Sequence, residues 1–264
     1  PIMPVLFLAT LCGSTFFVLA VVVTGELGSV LFCGTRTWLL TFAKALLVAA
    51  SWSCVYYAMR ELPISIVAPV RATAPLWTFL GSLFLFREIP TPLQGIAMLV
   101  IFAGYYLFSV IGKQEGISFL HHRGAHMVLL GTLLGSISAL YDKYLLGTLA
   151  IPRETMQFHF SVDLVLILGT AWLIQSRFGS GARKFTWRWS IPATGMLLII
   201  ADWLYFYALS LPDTQISILS LLRRCSCVVT FAVGSFCFRD KNIKVKAAAL
   251  AAILAGVVML ALAK

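Results

Sequence analysis

The amino-acid sequence predicts an all-α membrane protein, an inverted repeat of five transmembrane helices per copy, with nine spans present in its 264 residues. Three observations predict it. Apolar residues make up 60% of the chain and charged ones 11%, less than half the share of about 25% that a water-facing surface normally carries. Apolar runs long enough to cross a bilayer recur from end to end. The chain also matches itself when shifted by 152 positions.

The spans are expected near 3–23, 37–59, 62–86, 90–111, 125–147, 155–176, 188–211, 213–238 and 243–263. Each holds about 20 residues, enough for roughly 30 Å at 1.5 Å per residue. Pro63, Pro90, Pro92, Pro152 and Pro212 stand at the junctions, where a missing N–H costs little. Trp38, Trp172, Trp187 and Trp189 fall near span ends, where amphipathic rings anchor at the interface.

The net charge of +10 is carried largely by short connections, such as Arg177, Arg183, Lys184 and Arg188, or Arg239, Lys241, Lys244 and Lys246. Such placement suits loops beside an anionic membrane surface. The expected surroundings are therefore a lipid bilayer, in the cell (plasma or inner) membrane, and no nucleic acid. The six cysteines mostly lie inside apolar runs and lack zinc-site spacing, which makes them small buried hydrophobes.

In the 152-residue register, Ile64-Ser65-Ile66 falls on Ile216-Ser217-Ile218, Arg71 on Arg223, Thr78-Phe79 on Thr230-Phe231, and Phe86-Arg87-Glu88 on Phe238-Arg239-Asp240. Apolar matches alone arise by chance among hydrophobic helices; matched arginines and Phe-Arg-acid runs in one register do not. The expected division is a first copy at 1–112, a connecting loop at 113–124 and a second copy at 125–264. Pro1 then aligns with Arg153, so the first copy lacks the counterpart of 125–152, and a further span upstream is expected, ten in all. Five spans per copy is an odd number, so the second copy enters the membrane from the opposite side. Inverted repeats of this kind characterise many secondary transporters, with a substrate site near the midplane.

Tyr56-Tyr57-Ala58-Met59 leading to Pro63, a helix bearing Pro69 and Pro75, Phe86-Arg87-Glu88 at its exit and the Gly95 to Gly104 helix follow in order, and the second copy repeats the pattern with Tyr207-Ala208-Leu209, Leu222-Arg223-Arg224, Phe238-Arg239-Asp240 and Gly256. In this the sequence resembles the drug/metabolite transporter superfamily, in particular its EamA-type ten-helix members. The resemblance covers the whole chain except the absent first helix, and Asp240 stands where the second motif usually has glutamate. It implies ten helices around a central cavity and a substrate drawn from amino acids, other metabolites, nucleotide sugars and drugs.

Ionisable residues inside spans are costly and usually face a cavity or a partner. Seven qualify: Lys44, Arg71, His159, Asp163, Asp202, Arg223 and Arg224. Arg71 and Arg223, equivalent in the two copies, are expected to face the cavity and meet an anionic group, since arginine stays charged and binds carboxylate or phosphate with two hydrogen bonds; pairing with Asp202 or Asp163 is the packing alternative. Asp202 with Trp203, Tyr207, Trp52 and Tyr57 is expected to form a cavity wall for a cation or a planar solute. Asp163 and His159, four apart and so on one helix face, form a candidate proton relay, with a packing pair as the alternative. Asp142 and Lys143 point in different directions and need separate partners near the end of their helix.

The expected function is a secondary transporter that moves a small metabolite, anionic or zwitterionic such as an amino acid, or a drug, by alternating access. Proton coupling is a candidate feature, and no cofactor or metal is expected. His121, His122 and His126 share one loop without further ligands, and no HExxH, GxxxxGK[ST] or GxSxG run is present. The chain is thus not expected to be an enzyme; a lipid-modifying membrane enzyme and a non-transporting scaffold are the competing classes.

Overall fold

The computed structural model describes residues 2–62, 67, 70–71, 73–110, 123–178, 185–224 and scattered positions between 251 and 262. The span expected at 213–238 is described only as far as 224, and most of that at 243–263, His121, His122 and the Phe238-Arg239-Asp240 motif lie outside those residues. Among the described residues every regular element is helical: α1 Ile2–Val23, α2 Leu27–Leu31, α3 Thr35–Glu61, α4 Ala74–Leu85, α5 Pro92–Val110, α6 Arg123–Lys143, α7 Arg153–Phe178, α8 Ser190–Ser210 and α9 Ile216–Arg224. Five stretches are long and apolar enough to cross a membrane: Ile2–Val23, Thr35–Glu61, Arg123–Thr148, Arg153–Arg177 and Ser190–Ser210. This is an all-α membrane protein.

The helix ends follow local chemistry. Gly25 takes a positive φ of 77° after α1, and the Gly25 and Glu26 amides return to the carbonyls of Val22 and Val21, the glycine-terminated closure that satisfies last-turn acceptors. Before α5, the Thr91 amide donates to Gln94 Oε1 at 2.9 Å and the Gln94 amide donates to Thr91 Oγ1 at 3.3 Å, a reciprocal capping box with Pro92 as first helical residue. After α6 the helix continues as a π-helix over Tyr144–Thr148, so Asp142 does not sit at its end.

The chain divides into two compact units, one of Pro1–Ser53 with Tyr141–Thr214 and the other of Cys54–Leu140 with Gln215–Lys264. Each unit draws on both halves of the sequence. In the first unit α1 packs on α7 and α8. The α1–α8 approach is close: a side chain at Gly13 would collide with the Gly195 backbone, and one at Gly195 with the Ala9 carbonyl. Lipid offers no hydrophobic drive for helix association, so small residues at such a crossing gain their energy from intimate packing. Ser14 Oγ donates to the Ser161 carbonyl at 3.0 Å, tying α1 to α7. Phe17, Val21, Val30, Phe158 and Ile199 form an apolar core. In the second unit Val55, Ala58, Leu62, Val67, Ala125 and Val128 join α3 to α6, and Ala97, Met98, Ile101 and Leu221 join α5 to α9.

Candidate functional site

The expected span at 62–86 is interrupted. Residues 70 and 71 are helical, Thr73 forms a turn and α4 restarts at Ala74 with Pro75 in its first turn. Proline lacks an N–H and disfavours helical geometry at the residue before it, which accounts for a break at this point. The Ala74 carbonyl accepts Ser136 Oγ at 3.1 Å. Irregular backbone at membrane depth is tolerated where protein buries it or where it lines a polar space.

Half-buried Arg71 stands immediately before that break. The groups whose charge acts on it are Tyr56 and Arg223, so the two arginines matched by the repeat lie within electrostatic reach of each other. Among the described residues, no carboxylate acts on Arg71. Two like charges held close together favour an anion between them, and a pair of guanidinium forks suits a carboxylate or phosphate.

Arg223 lies two turns past the start of α9, exposed, while Ile216, Ser217, Ser220 and Leu221 of the same helix are buried. Glu88 holds the other end of α9. Its Oε1 accepts the Ile216 amide at 3.1 Å, and its Oε2 accepts the Ser217 amide at 3.5 Å and the Ser217 hydroxyl at 3.2 Å. A carboxylate there satisfies orphan donors and complements the helix dipole. Arg87 makes this reach available: it adopts a left-handed φ of 53°, and the Phe86 and Glu88 amides both return to the Ser82 carbonyl, turning the chain at the end of α4.

The first unit holds a different arrangement. Lys44 of α3 forms an ion pair and hydrogen bond with Asp142 of α6, both side chains being almost fully buried. The Lys44 ammonium also lies 4.5 Å from the Phe160 ring centre and 4.9 Å from that of Phe206. One carboxylate and two π faces thus surround one cation. A second tie between the same helices runs from the Tyr141 hydroxyl to the Leu40 carbonyl at 3.3 Å. Lys143 turns away and donates to the Thr214 carbonyl.

Trp203 and Tyr207 flank a cation supplied by the chain itself, with the Arg153 guanidinium 4.9 Å and 4.8 Å from their ring centres. Arg153 also donates to Glu154 at 2.6 Å. Trp203 further packs on Phe17 and lines a pocket of about 220 Å³ that Glu26 and Glu154 also border. Asp202 and Trp52 are half-buried, and Tyr57, of the second unit, faces the Arg60 guanidinium at 6.0 Å. On α7, His159 Nε2 hydrogen-bonds the Val30 carbonyl at 2.9 Å, while Asp163 is buried with its Oδ2 unpartnered.

A sequence profile of the EamA-like transporter family matches residues 1–110. No functionally curated protein matches the sequence. A solved crystal structure aligns with 99% of this chain and 88% of its own, with a TM-score of 0.78 and 16% identity, a likeness of fold. Over residues 1–110 the chain is similar to the EamA-like transporter family.

The polar residues that the sequence singles out sort into distinct environments. Arg71 and Arg223 come within mutual reach; Trp203 and Tyr207 come together around Arg153, a residue that the sequence reading left in a connection. The Lys44–Asp142 pair was the larger omission. Asp142 was expected to need its own partner near the end of the helix at 125–147, and the structure encloses it against Lys44. A lone lysine and a lone aspartate inside otherwise apolar runs were the signal that could have revealed the pair. Glu88 was seen only as part of a motif, and its role as the cap of α9 depends on a contact 128 residues away.

Proposed function

We propose that this chain, similar over residues 1–110 to the EamA-like transporter family, is a membrane transporter of small molecules. We propose that it is a secondary transporter moving a small metabolite that carries a carboxylate or phosphate, anionic or zwitterionic, by alternating access, and that Arg71 and Arg223 receive the anionic group. The observation that carries this reading is the approach of two repeat-equivalent arginines beside an interrupted helix. Tyr56, which also acts on Arg71, supplies a hydroxyl that can hydrogen-bond the same ligand.

The experiment is a thermal-stabilisation screen of carboxylate- and phosphate-bearing metabolites on the purified protein, followed by counterflow in proteoliposomes with the strongest hit. A ligand at about 100 times its Kd stabilises the folded state by about 2.7 kcal/mol, a readily measured shift. Arg71→Gln and Arg223→Gln should each abolish that shift and slow counterflow at least tenfold while the protein remains folded. Hits confined to cations, or undiminished counterflow in both variants, would refute the assignment.

A further inference from the structure

Asp163 lies on α7, ten residues past Arg153 and so roughly 15 Å along the helix, at 3% exposure. The groups that bear on its carboxyl are the Trp38 indole from α3, His159 from its own helix and Cys33 from the connection between α2 and α3. Of the helices packed on α7, neither α1 nor α8 presents a charged or titratable group that acts on it, among the described residues. Among the described residues no lysine or arginine pairs with it, and its Oδ2 has no hydrogen-bond partner. A bare carboxylate in such a place costs several kcal/mol, whereas the neutral acid removes the charge and leaves only one polar hydrogen to place.

His159 stands one turn before it on the same face. Its Nε2 faces the Val30 carbonyl at 2.9 Å, and a carbonyl only accepts, so Nε2 carries the proton and Nδ1 keeps a free lone pair. Val30 itself is buried, which holds that tautomer in place.

We infer that Asp163 and His159 form an intramembrane proton-binding site in which a single proton passes between the Asp163 carboxyl and His159 Nδ1. In the transfer the carboxyl O–H bond breaks and the Nδ1–H bond forms, leaving a carboxylate beside an imidazolium; the Nε2–H stays on the ring, donating to the Val30 carbonyl. The net charge of the pair does not change, so the step avoids the cost of an isolated buried ion. The site differs from Lys44–Asp142, where a permanent cation already matches the acid. That the bound proton drives solute movement rests on the transporter reading above; that a proton binds here does not.

The test therefore needs no substrate. The purified full chain is titrated from about pH 5 to about pH 9, and the carbonyl stretch of protonated carboxyls is followed by infrared difference spectroscopy. A buried-acid band should titrate in the wild type and disappear in Asp163→Asn. His159→Gln should keep the band but move its midpoint by about one pH unit, which preserves a readout if the asparagine variant fails to fold. No such band in the wild type, an unchanged band in folded Asp163→Asn, or an unmoved midpoint in His159→Gln would each overturn the proposal. So would loss of the band on adding sodium at fixed pH, which would make this a metal-cation site instead. Failure of the counterflow experiment with this titration intact would overturn the transporter reading and leave the proton site standing.

Discussion

Lys44–Asp142 and Arg71–Arg223 are both pairs of charged residues on helices, and both bring together residues from the two halves of the sequence. In the first, one cation meets one anion and two aromatic faces, and both side chains are closed off. In the second, two cations act on each other and one member remains exposed. A matched and enclosed pair has no valence left for a ligand and serves to hold helices together. A like-charged pair gains from an anion held between its members.

The largest expected effect breaks the matched pair. Lys44→Met or Asp142→Leu leaves one buried charge without its partner and should destabilise by about 3–5 kcal/mol. The double variant Lys44→Met/Asp142→Leu should regain most of that loss in detergent unfolding. If the double variant is as unstable as the singles, the pair is not a structural pin.

The same measurement on the arginines should run the other way. Arg223→Gln removes a like-charge repulsion and should change unfolding stability by no more than about 0.5 kcal/mol, while costing about 1.5–3 kcal/mol of anion binding. A stability loss as large as that of Lys44→Met would show that Arg223 packs the structure instead of waiting for a ligand.

A smaller effect sharpens the comparison through the helix that carries Arg223. Glu88→Ala removes the cap from α9 and should cost about 0.5–2 kcal/mol. Substrate binding should weaken alongside, because Arg223 lies two turns along the capped helix. Glu88→Gln keeps an acceptor and should fall between wild type and alanine.

The smallest effect concerns Cys33, in the connection before α3. Burial pushes its thiol pKa up, and the nearby Asp163 carboxylate adds to that. The thiolate is the reacting form, so alkylation of Cys33 at about pH 8 should be slower than that of free cysteine, and its rate should go on rising above the pH at which the free thiol levels off. Mass-spectrometric counting of labelled Cys33 peptide against pH checks this; a profile matching free cysteine would contradict the burial.

Much of the architecture was legible beforehand. Helix positions agreed closely where local chemistry is strong: Thr24-Gly25 ends α1 and Thr91-Pro92 opens α5. The interruption at Thr73–Pro75 was not anticipated, although Pro69 and Pro75 were noticed, because hydropathy runs straight through them. The partner of Asp142 escaped notice because Lys44 lies 98 residues away in the sequence. Trp203 and Tyr207 were expected to receive an outside cation and instead hold Arg153, whose position at the start of α7 brings it over their rings.

Length and apolar content determine that this is an all-α membrane protein, and the 152-residue self-match sets Arg71 against Arg223 in the sequence. Those properties are local, and each can be counted along the chain. Which helix face meets which was decided by tertiary structure alone. In lipid, a face packed on protein and a face turned to acyl chains are both apolar, so periodicity no longer distinguishes them. Lys44 and Asp142, 98 residues apart, therefore found each other only when three-dimensional packing closed around them.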